Sequence, residues 1–314
     1  MTNSRRDLLG AGSAVSIAGA ATAAAVGSQT ANAVGAVATR RSVAVNDGTQ
    51  MSYLEAGAGK TLVLVPGWSQ TAEQFNFQIE GLADRYRVIA LDMRGHGDSA
   101  KPAYGYSIQR LAKDLEDVLV ALNLRDVTIL GHSMGSSVLW CHFDLFGATR
   151  IARYVFCDQA SFLTTNPEWT PEQVANYGSI FTPDTASAFS NDLTKSDASK
   201  VTETLLKPMV TSDMPPEQFK WILDLNMKMP RQYAADLHYN HCNQDWRDVL
   251  PRIAKPTLFI GAKGSIMPHT CVAWESTQVC GAQLAIFENS DKGSHFMFIE
   301  NPAKFNGLVA AFIG

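Results

Sequence analysis

Ser133 sits at the centre of Gly131-His132-Ser133-Met134-Gly135. A serine hydroxyl is a poor nucleophile unless it is lifted out of the fold and set against a base. The five residues follow an apolar run, Asp126-Val127-Thr128-Ile129-Leu130, and open a second apolar stretch, Ser136 to Phe146. That order predicts a strand, a sharp turn and a helix, with the serine at the apex and small residues letting the backbone turn. The pattern alone is weak: with glycine and serine near 7% each, it arises by chance in about one chain of this length in ten. Its place between strand and helix points to nucleophilic catalysis rather than to a structural turn. A base is also needed, and seven histidines are available.

Such chemistry needs a frame. Thr61 to Val65 is a β-rich apolar run ending in Pro66-Gly67-Trp68. Tyr86 to Leu91 is another, ending in Asp92-Met93-Arg94-Gly95-His96-Gly97-Asp98-Ser99. Strands are expected at about 42–46, 50–55, 61–66, 86–91, 127–131, 153–158, 256–261 and 283–287. Helices are expected near 71–83, 107–122, 134–147, 244–250, 268–279 and 302–312. This alternation predicts a parallel sheet with helices on both faces. Reactive groups in such sheets lie beyond the carboxyl ends of strands, and Ser133, Trp68, Asp92 and Asp158 occupy such ends. From Ala160 to Asn243 the alternation breaks. Asn166-Pro167, Thr170-Pro171, Thr182-Pro183 and Pro215-Pro216 punctuate amphipathic segments with no strand pattern. The stretch reads as a helical lid inserted between two strands. Its bulky residues, among them Phe162, Trp169, Tyr177, Phe181 and Met209, are expected mostly to pack inward, with some lining a pocket. So aromatic a lid favours an apolar or aromatic substrate.

From about Arg41 to the C-terminus the chain resembles the α/β-hydrolase family. The resemblance rests on Val65-Pro66-Gly67-Trp68, the run from Asp92 to Ser99, the turn around Ser133, and Gly293-Ser294-His295-Phe296. It looks most like the lid-bearing esterase, lactonase and haloperoxidase-like branch. The fold class implied is α/β, a mostly parallel central sheet with helices on both faces. The core would comprise residues 34–159 and 244–314, and the inserted lid residues 160–243.

The family's chain order of serine, acid, histidine makes His295, after the last strand, the expected base. His132 is expected to point away from the nucleophile and His96 to brace the loop after Asp92. In many relatives the acid is an aspartate after the penultimate strand, in a pattern like G-x-x-D-x-x-x-P. Here the matching stretch is Gly261-Ala262-Lys263-Gly264-Ser265-Ile266-Met267-Pro268, so Gly264 stands in the acid's place. Some relatives carry the acid one loop earlier. In this chain that strand is Arg153-Tyr154-Val155-Phe156-Cys157, and the next residue, Asp158, is the expected acid. Against it stand a role for Asp158 in capping the lid's first turn, Glu275 on a helix face expected to point to solvent, Asp291, and a dyad assisted by Ser265 or water. The expected oxyanion donors are the backbone N–H groups of Met134 and Trp68. Relatives often carry His-Gly where this chain has Pro66-Gly67, which removes a side chain but not the donor.

The 314 residues suffice for one large domain or two small ones, and 46% hydrophobic content supports a substantial core. A net charge of −4 gives no basic footprint for nucleic acid. Five cysteines show no metal-ligand spacing. Cys141 and Cys157 read as small buried hydrophobes. Cys242, Cys271 and Cys280 are candidates for disulfides in an exported protein. On one helix, however, Cys271 and Cys280 would stand about 13 Å apart, too far to bridge. Ser4-Arg5-Arg6-Asp7-Leu8-Leu9 precedes an uncharged segment rich in Ala, Gly, Ser and Thr, and Ala31-Asn32-Ala33 reads as a cleavage site. Residues 1–33 thus resemble a twin-arginine export signal, with the mature chain beginning near Val34 in the periplasm or outside the cell. With few Leu, Ile or Phe residues, the segment fits stable membrane insertion poorly.

The expected activity is that of a serine hydrolase cleaving a small-molecule carboxylic ester or lactone through an acyl-enzyme, with no cofactor or metal. Carbon–carbon bond hydrolases and cofactor-free perhydrolases on this fold also use serine. Dehalogenases and epoxide hydrolases use aspartate at the nucleophile position, so Ser133 argues against both. The rival outside enzymology is an inactive small-molecule-binding protein, to which the missing acid at Gly264 lends support.

Overall fold

Runs of aliphatic and β-branched residues pair into one eight-stranded sheet. The strands are β1 (Thr39–Ala44), β2 (Gln50–Ala56), β3 (Lys60–Val65), β4 (Tyr86–Leu91), β5 (Val127–His132), β6 (Ile151–Cys157), β7 (Thr257–Ala262) and β8 (Gln283–Phe287). The structure, a computed structural model, describes residues 38–314. The expected export signal and its expected cleavage site fall outside the described residues. Strand order is β1-β2-β4-β3-β5-β6-β7-β8. β2 pairs antiparallel with β1 and with β4, and the other neighbours are parallel.

Helices cover the sheet on both faces. They are α1 (Asn76–Leu82), α2 (Ile108–Ala121), α3 (Met134–Phe146), α4 (Pro171–Tyr177), α5 (Pro183–Asp192), α6 (Ala198–Leu206), α7 (Pro216–Asn226), α8 (Arg231–Cys242), α9 (His269–Gln278), α10 (Met297–Glu300) and α11 (Pro302–Ile313). The period of two in β3 divides the core. Val63 and Val65 pack into one cluster with Leu111, Leu115 and Val138 of α2 and α3. Leu62 and Leu64 pack into the other with Ile79, Phe305 and Val309 of α1 and α11. With both faces covered, β5 and β7 are buried along their whole length, as parallel strands require. Helices α4 to α8 lie between β6 and β7 in the chain. Ala186, Leu193, Met229 and Leu237 from this insertion join the same cluster as α2 and α3.

One expected helix does not form. Residues 244–249 are turns and coil, followed by a 3-10 turn at Leu250–Arg252. Asp245 Oδ1 accepts the Arg247 N–H at 3.1 Å, a local bond that competes with helix. Pro251 then removes a donor. All five thiols are free, and only Cys280 is exposed. No helix among the described residues is long and apolar enough to cross a membrane.

The topology already marks a place for chemistry. From β3 the chain crosses to β4 on one side, and β5 then pairs on the other side of β3. A crevice opens at such a reversal, beyond the carboxyl ends of the two central strands. Trp68 follows β3 and Ser133 follows β5.

Candidate active site

Ser133 takes φ 52° and ψ −129° between β5 and α3. This conformation costs a non-glycine residue about 1–3 kcal/mol and persists only where its surroundings enforce it. The enforcement is visible. The Ser133 N–H donates to Cys157 O at 2.8 Å, and Ser133 O accepts from the Ser136 N–H at 2.7 Å. Gly131 and Gly135 are needed for close approach. A Cβ on Gly135 would stand 2.3 Å from Val65 O, and one on Gly131 2.5 Å from the Gly135 carbonyl carbon. Any side chain at either position would push the turn away from β3.

Asp158 repeats the device one strand further on. It follows β6 with φ 54°, and its N–H donates to Ile260 O at 2.8 Å. The turn aims a buried carboxylate across the strand ends. His295 Nδ1–H donates to Asp158 Oδ2 at 2.6 Å, and Ser265 Oγ–H donates to the same oxygen. Burial raises the Asp158 carboxyl, while the Ser265 hydrogen bond opposes that shift. Burial pushes the His295 ring down to about 3. The ring is therefore neutral near pH 7, with Nε2 unprotonated and able to act as a base. Ser133 Oγ makes no hydrogen bond to the ring among the described residues. Such bonds are commonly long before substrate arrives.

The loop carrying His295 is held from several sides. The His295 N–H donates to Met209 O of the insertion at 3.0 Å. The His132 ring, beneath the turn, lies 2.8 Å from His295 O through Nε2 and 2.8 Å from Gln70 Oε1 through Nδ1. It points away from the cavity, as expected, and links the loop after β3 to the loop of the base. His96 also lies where expected, buried with Nδ1 2.9 Å from Arg94 O.

The other acid candidates are engaged elsewhere. Gly264 is more than a missing carboxylate: its N–H donates to Gly293 O at 2.9 Å, and a Cβ there would stand 2.5 Å from that oxygen. The position is closed to any side chain by the loop of the base. Asp291 is held by Lys304 at 2.5 Å. Glu275 requires a correction. It is buried, not solvent-facing, because α9 turns this face toward the core beside Cys271 and Val272, and burial raises its carboxyl.

The backbone N–H groups of Trp68 and Met134 have no hydrogen-bond acceptor among the described residues. Met134 is the first residue of α3, where an N–H lacks an intrahelical partner and the helix dipole favours negative charge. The Trp68 side chain is fixed by Nε1–H donating to Ala234 O of α8 at 2.8 Å. Above Ser133 lies a narrow cavity of about 40 Å³. Its lining is mostly apolar, from the loops after the strands (Trp68, Ile266, Met267) and from the insertion (Leu163, Ile180, Phe181, Leu205, Met209). Of the bulky lid residues named from sequence, Phe181 and Met209 reach the cavity. Phe162, Trp169 and Tyr177 instead form an edge-to-face chain that ends on Trp274. Sequence reasoning missed two cavity residues, His238 and His241. Their spacing of three along one helix was the available signal.

The fold has counterparts in known proteins. A model of the alpha/beta hydrolase fold matches residues 60–302. The "AB hydrolase superfamily protein YisY" of Bacillus subtilis is 26% identical over 260 residues, 82% of this chain and 93% of that protein. A bromoperoxidase structure from Bacillus anthracis superposes with TM-score 0.79 at 22% identity, covering 88% of this chain and 99% of that one. The esterase EaEST from Exiguobacterium antarcticum superposes with TM-score 0.79 at 25% identity, covering 87% and 99%.

Proposed function

Because this chain belongs to the alpha/beta hydrolase fold family, we propose that it is a serine hydrolase acting on a small-molecule carboxylic ester or lactone. Ser133 attacks the carbonyl while His295 Nε2 takes its proton. Asp158 holds the ring by Nδ1 and stabilises the imidazolium that forms. The N–H groups of Trp68 and Met134 receive the negative oxygen of the tetrahedral intermediate. His295 then returns the proton to the leaving alcohol, and water resolves the acyl-enzyme by the same steps in reverse. The observation that carries this reading is the 2.6 Å contact from His295 Nδ1 to Asp158 Oδ2, beside a serine held in a left-handed turn. A carboxylate at Asp158, in place of one at Gly264, supports an active enzyme over an inactive binding protein. The apolar cavity supports an apolar or aromatic acyl or alkoxy group.

Ser133→Ala is the direct test, against a panel of aryl esters and lactones. Turnover should fall by about 10⁴-fold or more while folding is retained, leaving only what binding and the oxyanion donors supply. Comparable hydrolysis by the variant would sink the assignment. Export belongs to the same reading, supported by Arg5-Arg6 and Ala31-Asn32-Ala33. Lysines at positions 5 and 6 should keep the precursor in the cytoplasm, whereas an intact Met1 on membrane-bound protein would favour an anchor.

A further inference from the structure

The cavity above Ser133 is lined by two histidines that the proposed mechanism does not use. His238 and His241 both line it from α8, and both are more than nine-tenths buried. The nitrogens of His238 are occupied. Its Nδ1 lies 2.8 Å from Ser190 Oγ, its Nε2 lies 3.5 Å from Cys242 Sγ, and its ring packs against Phe189, Phe181 and Trp68. His241 differs. Its Nε2 lies 3.0 Å from Ser137 Oγ, and its Nδ1 has no hydrogen-bond partner among the described residues.

The Ser137 contact decides which nitrogen carries the hydrogen. Ser137 is fully buried on α3, and His241 Nε2 is the one partner its hydroxyl has among the described residues. A buried O–H left without an acceptor costs about 1–3 kcal/mol. The hydroxyl therefore donates to Nε2. A neutral imidazole carries one N–H, so the hydrogen sits on Nδ1 of a ring that lines a cavity whose walls are otherwise mostly apolar. Burial holds the ring neutral, pushing it down to about 3. Ser137 lies four residues beyond Ser133, on the first turns of α3, and His241 lines the same cavity as the nucleophile.

We propose that His241 is a specificity residue whose Nδ1–H donates to an acceptor oxygen of the substrate. The preferred ester or lactone then carries a carbonyl, ether or hydroxyl oxygen a few bonds from the scissile carbonyl, within the cavity that Ser133 and His241 share. The proposal rests on the hydrolase reading and narrows it: the substrate is apolar in most of its surface but not a plain alkyl or aryl ester. A site built around a buried donor rejects analogues that leave the donor unpaired.

The test compares p-nitrophenyl 4-oxopentanoate with p-nitrophenyl 4-methylpentanoate, near-isosteric acyl groups that differ in the oxo oxygen. The wild-type enzyme should favour the oxo ester by about tenfold or more in kcat/KM, and His241→Phe should bring the ratio close to one. Equal ratios in the two enzymes would overturn the proposal. Because a buried substitution can unfold the chain, a second measurement needs no variant and no turnover. Nitrogen-15 NMR of the imidazoles should show His241 protonated on Nδ1 and bare on Nε2, and the opposite tautomer would also overturn it. Failure of a fluorophosphonate to label Ser133 would strike the hydrolase reading instead, with the tautomer still deciding this one.

Discussion

Asp158 Oδ2 receives two donors, Ser265 Oγ and His295 Nδ1, and in the proposed mechanism it keeps both when the ring takes a proton from Ser133. The charge on that oxygen is what makes an imidazolium tolerable in so buried a site. Asp158→Asn should therefore lower turnover by about 10²–10⁴-fold, through loss of the charge and the wrong imidazole tautomer. Apparent substrate affinity should change less. Steady-state kinetics on an aryl ester would show this, and near wild-type turnover would contradict it. The His295 ring, pushed down to about 3 by burial, loses its function as a base only when protonated. The acid limb of kcat/KM should accordingly lie below the usual histidine value of 6.5. A limb at or above 6.5 in a pH–rate profile would show that the free ring is not held down. At this scale the sequence was informative wherever a residue type had to sit at a strand end: Ser133 and His295 by motif, Asp158 by the vacancy at Gly264. It misplaced Glu275, expected at the surface but buried, and was silent on His241. A helix with charged and apolar residues on several faces does not reveal which face the tertiary packing will cover.

The central elements meet backbone to backbone at the site. Gly135 of α3 lies against Val65 O of β3, and Gly264 after β7 lies against Gly293 O of the His295 loop. These approaches set where the serine and the histidine stand relative to each other. Moving the acid back to the family's more usual place should consequently fail. In Gly264→Asp the new Cβ would sit 2.5 Å from Gly293 O, displacing the loop of the base before its carboxylate could help. Turnover should fall at least about tenfold, since small misplacements of catalytic groups are costly. The melting temperature should drop by several degrees, at about 2–4 °C per kcal/mol for a chain of this size. Equal or higher activity would show that the position is open. All eight strands were legible from apolar runs and turn residues, because a sheet covered on both faces demands continuous apolar sequence. The missed helix at 244–250 was not: a local Asp245 bond to the Arg247 N–H outcompeted its periodicity.

Over the whole molecule, burial lowers six imidazoles, those of His96, His132, His142, His238, His241 and His295. It raises three carboxyls, those of Asp92, Asp158 and Glu275. Below pH 6.5 the unfolded chain binds protons at the six histidines that the folded chain refuses. The three carboxyls shift in the opposite sense, each keeping its proton to a higher pH when folded than when unfolded. Six groups outweigh three, so stability should fall as pH drops from 7 to 5, each unopposed ring contributing about 1.4 kcal/mol per pH unit. Calorimetry should register a melting temperature at least about 5 °C lower at pH 5 than at pH 7. A flat or rising profile would contradict the neutral, buried state of these rings. The overall architecture was legible from strand–helix alternation and its interruption between Ala160 and Asn243. The cavity's chemistry was not, because it arises where α8 meets the strand ends, a contact between segments about a hundred residues apart.

The central claim, a serine made nucleophilic by His295 and Asp158, is tested most directly by labelling with a fluorophosphonate and mapping the adduct by mass spectrometry. A single adduct on Ser133 is expected, absent in Ser133→Ala and formed orders of magnitude more slowly in Asp158→Asn. No adduct on the folded wild-type protein, or one at another residue that survives Ser133→Ala, would contradict the account.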